Sequence, residues 1–449
     1  MLTRHFVDVP GRDGPRRVHY RRRGKGPPLL MVHQSPRSSG EYEGLMERWS
    51  AHFTCIAPDT PGFGQSKALA GEPDIGDFAD ALLDTMDALG LKRCAAYGFH
   101  SGAVILMEAL RRDPRRFSRT AMGGYAVWTL QEMAIFGERY LPPFKPQPYG
   151  EHLAWLWTRM LEQSWFFPWF AVEHRSRLGI AHDDASRVHA SVMDMLEAGD
   201  TYRAGYGAVL RAERAIPDDG PPTLITAYNG DPLQAHLKRI GTLPASWKAR
   251  PVRSRDEHEA ASLAWLLAAE ATIAPKPVET PDEGFAQVDG RLIHWLGEGS
   301  SLHLHAPGGE ARGWDGLVAV DLPGHGLSDD HQADEPWEDT ARTIAKVFSV
   351  RDTVADGATR AIIGGEPVAG AARLVPDLTP QRFGEHLQRA WGTARAMRLF
   401  DPWYVASHST ARPFDPQELE PGRIAVDARA LLRARGGRSL AAACAMGEE

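Results

Sequence analysis

The chain has 449 residues, of which 43% are hydrophobic and 24% are charged, and its formal net charge is −7. This length exceeds one average domain, so we expect two or three domains with ample apolar core. The acidic balance provides no basic field for nucleic acid, and the Arg-rich stretch 16–23 is typical of solvated surface.

The three cysteines, Cys55, Cys94 and Cys444, have no disulfide or zinc-site spacing, which indicates a reducing compartment. The first residues lack the apolar stretch of a signal peptide. No run approaches the roughly 20 apolar residues that cross a bilayer. We therefore expect a cytoplasmic protein that binds neither membrane nor nucleic acid.

Short apolar runs alternate with helical patterns over the first 125 residues. The runs PLLMVH (28–33), FTCIAPD (53–59) and RCAAYGF (93–99) are typical of buried strands. Residues 75–91 and 101–113 have apolar side chains at helical spacing. This alternation favours a parallel sheet with helices on both faces.

The character of the chain changes at about residue 131. From there to about 215 it is helical and dense in Trp, Phe and His, and 221–233 and 249–270 then return to strands, a loop and a closing helix. This order predicts an α/β domain over 1–273 with an inserted helical cap at about 131–215.

Beyond a Pro-rich polar linker at 274–283 the sequence repeats itself. A coincidence of rare residue types in one register indicates an internal duplication. The cap segments align without a gap and share nine of 26 residues. The matching pairs are 19–33 with 294–306, DTPGFGQS (59–66) with DLPGHGLS (321–328), and 149–174 with 383–408.

The second copy, 284–449, is shorter than the first. Glu366, followed by Pro367, aligns with His100, and 17 residues separate it from the cap segment, against 49 in the first copy. We therefore expect a degenerate module that lacks the closing strands. Its predicted role is to pack on the first half as an intrachain pseudo-dimer.

The stretch YGFHSGAV, residues 97–104, follows a predicted strand and opens a predicted helix. A sharp strand-to-helix turn needs small residues two positions before and two after its exposed side chain. Gly98 and Gly102 bracket position 100, whereas a Phe would crowd the turn if Ser101 were exposed. We predict that His100 stands at the tip and that Ser101 starts the helix.

These landmarks resemble the α/β-hydrolase superfamily, in the capped branch of epoxide hydrolases, haloalkane dehalogenases and C–C bond hydrolases. The resemblance covers nearly all of 15–272 and rests on MVHQSP, DTPGFGQS, YGFHSGAV, NGDPL and DEHEAA. It implies an α/β-hydrolase fold with a helical cap, followed here by the truncated second module. It also implies an enzyme that acts on a small molecule without metal or cofactor.

The resemblance assigns the acid to Asp231 and the general base to His258, in the loop before the last helix. A buried Asp231 would then fix the tautomer of His258 and stabilise its protonated form. A turn-forming Asp and an exposed loop His are the alternatives. With His100 in the nucleophile position, the chain departs from the family pattern.

The resemblance also places the oxyanion donors. One would be the N–H of Gln34 or Ser35, where the family usually has His-Gly, and the other the N–H of Ser101. Two such donors are typically the largest electrostatic contribution in acyl chemistry. His33 is a candidate for substrate contact, although in this fold it more often holds the loop.

Four roles for His100 remain open: nucleophile, acid or base beside an Asp231–His258 pair that activates water, metal ligand, or replacement that has lost the chemistry. We favour the second. The cap supplies further candidates for substrate contact, for which aromatic packing is the alternative explanation. They are Glu151, His152, Trp157 and His174.

We therefore expect hydrolysis of a small apolar or aromatic ester, lactone or C–C bond. A cofactor-free lyase or isomerase would instead use His100 and His258 as an acid–base pair and consume no water. A catalytically inactive ligand-binding homologue would be stabilised by its ligand without turnover.

Overall fold

A computed structural model describes residues 1–11, 14–212 and 215–445. Residues 213–214 of the predicted cap and 446–449 of the predicted second module lie outside the described residues, as do residues 12–13.

The chain divides into two units, and the main boundary, between Glu279 and Thr280, falls inside the predicted linker. The units differ from the predicted domains, because parts of the cap belong to the second one. Unit 1 comprises Met1–Phe144, Arg159–Asp183 and Ala190–Glu279, and unit 2 comprises Lys145–Thr158, Asp184–His189 and Thr280–Glu449.

An eight-stranded sheet forms the centre of unit 1, in the order β1-β2-β4-β3-β5-β6-β7-β8. The pairs β1–β2 and β2–β4 are antiparallel, and all other neighbours are parallel. The strands are β1 (Thr3–Val9), β2 (Arg16–Arg23), β3 (Pro28–Val32), β4 (Thr54–Pro58), β5 (Cys94–Phe99), β6 (Phe117–Gly123), β7 (Thr223–Tyr228) and β8 (Lys248–Val252).

Eight helices accompany these strands in the described sequence before residue 280. The predicted helices at 75–91 and 101–113 are confirmed as α2 and α3. The helices are α1 (Glu43–Trp49), α2 (Ile75–Ala88), α3 (Ser101–Arg112), α4 (Leu130–Arg139), α5 (Glu151–Glu162), α6 (Ala185–Ala198), α7 (Tyr202–Arg211) and α8 (Arg255–Leu266).

The turn from β5 to α3 presents His100, which has φ 48° and ψ −114°. A positive φ is uncommon for a residue with a side chain and marks a strained position. A Cβ on Gly102 would lie 2.0 Å from the carbonyl oxygen of Val32, and one on Gly98 would lie 2.7 Å from that of Gly102. The glycines thus permit a close approach of helix and strand that leaves His100 at the tip.

A five-stranded sheet forms the centre of unit 2, in the order β9-β10-β12-β11-β13. The pairs β9–β10 and β10–β12 are antiparallel, whereas β11 is parallel to both β12 and β13. The strands are β9 (Glu283–Val288), β10 (Arg291–Leu296), β11 (Ser301–Leu304), β12 (Leu317–Val320) and β13 (Asp352–Ala355).

The strands of this second sheet follow the order and directions of β1-β2-β4-β3-β5 in the first. Within the described residues, the second sheet has no strand beyond β13 to correspond to β6, β7 or β8. The helices that follow are α9 (Trp337–Phe348), α10 (Arg360–Gly364), α11 (Glu385–Leu399), α12 (Pro421–Arg433) and α13 (Gly437–Ala443). No helix of the described residues is both long and apolar enough to pass through a bilayer.

Strand register identifies the position in the second sheet that corresponds to the strained turn. In the first sheet Val32 of β3 pairs with Gly98 of β5, two residues before the turn. In the second, Leu304 of β11 pairs with Ala355 of β13, two residues before Gly357.

Gly357 has φ 47°, close to the 48° of His100. The predicted alignment of Glu366 with His100 is therefore wrong. Glu366 lies 11 residues beyond Ala355, whereas His100 lies two residues beyond Gly98, the residue in the equivalent register.

The close packing at the turn predicts a large cost for an added methyl group. We expect Gly102→Ala to lower the free energy of unfolding by about 3 kcal/mol or more, since its Cβ meets backbone that cannot give way. Gly241→Ala is the control, because a Cβ there meets nothing within 4 Å. Denaturant unfolding of both variants is the measurement, and equal stabilities would contradict this account of the turn.

Candidate active site

The strained turn brings His100 to Asp231, with His100 Nε2 3.2 Å from Asp231 Oδ2. Asp231 follows β7 in a tight turn, and its Oδ1 accepts the N–H of Leu233 at 2.8 Å. The Asp231 side chain is fully buried, whereas 23% of the His100 side chain is exposed. A buried carboxylate thus holds an imidazole that water can reach.

The charge state of Asp231 follows from its partners. Burial alone would raise the pKa of this carboxyl, but the nearby His100, its hydrogen bond and the Leu233 N–H outweigh burial and hold the pKa below its ordinary value. Asp231 is therefore a carboxylate at neutral pH.

Hydrogen bonding also assigns the tautomer of His100. A carboxylate only accepts hydrogen bonds, so Nε2 of the neutral imidazole carries the proton and Nδ1 carries the lone pair. Among the described residues, Asp231 is the one hydrogen-bond partner that the structure gives to the His100 imidazole. His100 Nδ1 is thus available as a base.

Packing restricts the His100 ring. It stacks on Phe99, with ring centroids 4.1 Å apart and planes 15° apart. A Cβ on Gly124 would lie 2.6 Å from His100 Nε2 and 3.0 Å from Asp231 Oδ2. The absence of a side chain at Gly124 therefore permits the contact between imidazole and carboxylate.

The predicted hydrogen bond between Asp231 and His258 is wrong. His258 Nε2 lies 2.8 Å from the Tyr97 hydroxyl, and Nδ1 lies 2.6 Å from Thr226 Oγ1. Both ring nitrogens are thus engaged away from Asp231.

His258 is also not in a loop, because α8 begins at Arg255. The Ser254 side chain accepts the N–H of Glu257 and caps the helix, which places His258 in the first turn. His258 is 1% exposed. Burial lowers its pKa to about 4, despite the opposing charge of Asp231.

Two of the predicted oxyanion donors, the N–H groups of Gln34 and Ser35, are engaged by acceptors of the chain itself. Gln34 donates its backbone N–H to Glu41 Oε1 and its side-chain amide to Glu41 Oε2, both at 2.7 Å. The N–H of Ser35 donates to Ser101 Oγ at 2.5 Å. Ser101 is buried at the start of α3 and does not present a nucleophile.

His33 holds two loops together and is not placed as a substrate contact. Its Nε2 accepts the N–H of Thr60 at 2.8 Å, so Nδ1 carries the proton and donates to the carbonyl of Gln34 at 3.0 Å. His33 is 1% exposed, which agrees with a role in holding the loop.

The predicted cap contacts have other partners. Glu151 and His174 are exposed, and Glu151 Oε2 accepts the N–H of Tyr149. His152 Nδ1 accepts the N–H of Gln147, and the indole of Trp157 donates to the carbonyl of Arg382 at 2.9 Å. Glu151, His152 and Trp157 lie in unit 2, where their observed partners also lie. Their predicted role as substrate contacts has no support from these contacts.

Neither His100 nor Asp231 lines either of two prominent cavities among the described residues. One, of about 760 Å³, lies between α1 and α8 in unit 1 and includes His258 and Tyr97 in its walls. The other, of about 1050 Å³, lies beside Trp337 in unit 2. No group of three or more metal-ligating side chains occurs in the described part of the chain.

Sequence reasoning missed Glu41, Tyr97 and Thr226. Thr226 had a visible signal, since it interrupts the apolar strand TLITAY with a hydroxyl. Glu41 had none, because its contact with Gln34 depends on the turn that precedes α1.

Comparison with known proteins agrees with this architecture. The family profile described as alpha/beta hydrolase fold matches residues 27–134. Haloalkane dehalogenase 2 of Mycobacterium tuberculosis is 31% identical over 120 residues, which are 26% of this chain and 42% of that protein. Over residues 27–134 the chain is thus similar to the α/β-hydrolase superfamily.

Two further proteins of known name are similar to parts of this chain. (E)-2-((N-methylformamido)methylene)succinate hydrolase of Acinetobacter baylyi is 32% identical over 107 residues, or 24% of this chain and 41% of that protein. The crystal structure of epoxide hydrolase A from Mycobacterium thermoresistibile has a TM-score of 0.48 and 16% identity, and the match covers 61% of this chain and 100% of that one. The chain spans less than half the length of the two curated relatives named here.

The burial of His258 predicts a pH-dependent contribution to stability. Between pH about 6.5 and about 4, the unfolded chain gains a proton at this residue that the folded chain does not, so stability is lost as the pH falls. Urea unfolding should show the difference between wild type and His258→Gln shrinking across this window and remaining constant above it. Parallel stability curves would contradict the burial of a neutral imidazole.

Proposed function

We propose that unit 1 is a hydrolase in which His100, held by Asp231, is the general base that activates water. The substrate class is a small apolar or aromatic ester, lactone or C–C bond. The observation that supports this role is the 3.2 Å contact between an imidazole at the tip of the strained turn and a buried carboxylate. In this proposal His100 replaces His258 as the partner of Asp231.

The chemistry follows from the proton positions. His100 Nδ1 accepts a proton from water as the water oxygen attacks the substrate, while Nε2–H keeps its bond to Asp231. The carboxylate stabilises the imidazolium that forms and fixes its orientation. The imidazolium then returns its proton to the leaving group, which leaves the base ready for another cycle.

The apolar substrate class is supported by aromatic side chains in the part of the cap that belongs to unit 1. Phe136 contacts Trp128, Tyr140 and Phe167 with centroid separations of 4.8, 5.0 and 5.8 Å. Tyr140 also contacts Phe170 at 6.2 Å. A substrate in contact with this cluster would be apolar or aromatic rather than charged. The two curated relatives named above are a dehalogenase and a hydrolase.

A ligand-binding homologue without turnover is the second candidate. It is favoured by one observation, the engagement of the Gln34 and Ser35 N–H groups by Glu41 and Ser101. Loss of free oxyanion donors removes a large electrostatic contribution to acyl chemistry.

Substitution of the pair distinguishes these candidates. We expect His100→Gln and Asp231→Asn each to lower kcat at least about 100-fold, because each removes the positioned base. His258→Gln is the matched control and should retain kcat, since His258 bonds Tyr97 and Thr226. Turnover of a panel of aryl esters and lactones by variants with native circular dichroism is the measurement.

The opposite pattern, with His258→Gln inactive and His100→Gln active, would overturn the proposal. Product analysis in ¹⁸O-labelled water separates the hydrolase from a lyase or isomerase, because hydrolysis alone places a solvent oxygen in the product. Ligand-dependent stabilisation without turnover of the panel would favour the binding homologue.

We also propose that unit 2 contains a degenerate duplicate of the first half. Matched hydrogen bonds support this: His19 Nδ1 lies 2.8 Å from Asp59 Oδ2, and His294 Nδ1 lies 2.8 Å from Asp321 Oδ2. The buried His305 repeats the contact of His33, since its Nε2 accepts the N–H of Leu322 at 3.0 Å. Equal strand order and the matched turn angles add to this support.

The same proposal includes an intrachain pseudo-dimer, and contacts within unit 2 support it. Trp157 donates to the carbonyl of Arg382, and Trp391 donates to the carbonyl of Pro148. His152 packs edge-on against Trp391 with centroids 4.9 Å apart, and the counterpart contact between His386 and Trp157 is 5.0 Å. Reciprocal contacts of this kind are typical of a two-fold interface between identical subunits.

Because the contacts of Trp157 and Trp391 are reciprocal, we expect the two side chains to contribute equally to the free energy of unfolding. Both are 2% exposed, so Trp157→Ala and Trp391→Ala should each lower the free energy of unfolding by about 3–5 kcal/mol. Trp314→Ala is the control, because Trp314 is 54% exposed and should change stability little. A large cost at one of the two buried positions and none at the other would contradict the pseudo-dimer.

A further inference from the structure

The hydroxyl of Ser101, the residue after the proposed base His100, accepts a hydrogen bond from a backbone N–H group. Ser101 follows His100 directly and is 5% exposed. Its Oγ accepts the N–H of Ser35 at 2.5 Å, a short contact for a neutral donor. The resemblance to α/β hydrolases makes the Ser35 N–H a candidate oxyanion donor.

The backbone of Gln34 offers no substitute donor. Its N–H, together with one N–H of its side-chain amide, is bonded to the carboxylate of Glu41. Charge-assisted pairs of this geometry are strong and persistent. The backbone N–H of Ser101 remains at the first position of α3, where a helix leaves N–H groups without intrahelical partners.

We propose that Ser101 is a specificity-determining residue whose hydroxyl competes with the substrate for the Ser35 N–H. A carbonyl substrate must displace Ser101 Oγ before an oxyanion can receive both donors. In its resting arrangement the site gives one donor instead of two, which disfavours simple esters. This inference rests on the proposed role of His100 as the base.

The sequence places this hydroxyl for a local reason. Ser101 is the first residue of α3, and the close approach of β3 to that helix, which Gly102 allows, brings the loop after β3 to the Ser101 side chain. A residue without a hydroxyl at position 101 would leave the Ser35 N–H for a ligand. One side chain therefore sets how many donors the site presents.

Ser101→Ala tests the competition directly. We expect kcat/KM for p-nitrophenyl acetate to rise at least tenfold above wild type, or above the detection limit where wild type has no measurable rate. Ser118→Ala is the matched control, because it removes a buried hydroxyl that has no hydrogen-bond partner in the described structure. The control should leave kcat/KM unchanged.

The amide proton of Ser35 reports the hydrogen bond independently of activity. Labelling with ¹³C′-Gln and ¹⁵N-Ser selects the amides of Ser35, Ser66 and Ser164, the serines that follow a glutamine. Ser101→Ala should move one of the three upfield, and Ser118→Ala should move none. Ser101→Cys keeps a side chain of similar shape and should give a smaller change in the same direction.

The outcomes separate this inference from the proposed function. Loss of the gained activity in the Ser101→Ala/His100→Gln double variant supports both. Retention of the gain in that double variant supports competition by Ser101 and overturns His100 as the base. Unchanged amide shifts, or an unchanged or lower kcat/KM in both Ser101→Ala and Ser101→Cys, would overturn the competition.

Discussion

The contact between His100 Nε2 and Asp231 Oδ2 is the interaction on which the candidate site depends. It exists because a strained backbone at His100 aims an imidazole across the end of the sheet, where the turn after β7 holds a buried carboxylate. Glycines at 98, 102 and 124 make room for it. A carboxylate without exposure to water needs this partner, so the site and the local fold stabilise each other.

Sequence reasoning identified the turn because its requirement is local. Small residues at fixed offsets from a strained position are visible without any knowledge of the packing. The orientation of His258 was not visible, since it depends on where Ser254 begins α8 and on which face of that helix meets the sheet. The position in the second sheet that corresponds to His100 was also not visible, because it depends on how β13 pairs with β11. The local glycine pattern therefore predicted the turn, whereas contacts between distant segments required the structure.

The position of His100 at the tip of the turn affects the contacts of several neighbouring residues. The His100 imidazole forms a hydrogen bond with the Asp231 carboxylate. His258 packs as a neutral side chain between Tyr97 and Thr226. The Ser101 hydroxyl and Glu41 then satisfy the N–H groups of the neighbouring loop. The buried polar groups around His100 thus satisfy one another with hydrogen bonds within the chain.

The most direct measurement is the tautomer of His100, read from ¹⁵N-detected ring correlations and assigned by comparison with His100→Gln. The account predicts that, in the neutral form of the ring, Nε2 carries the proton and Nδ1 is free, and that Asp231→Asn loses this preference. A ring protonated at Nδ1, or a spectrum that Asp231→Asn leaves unchanged, would contradict the pairing.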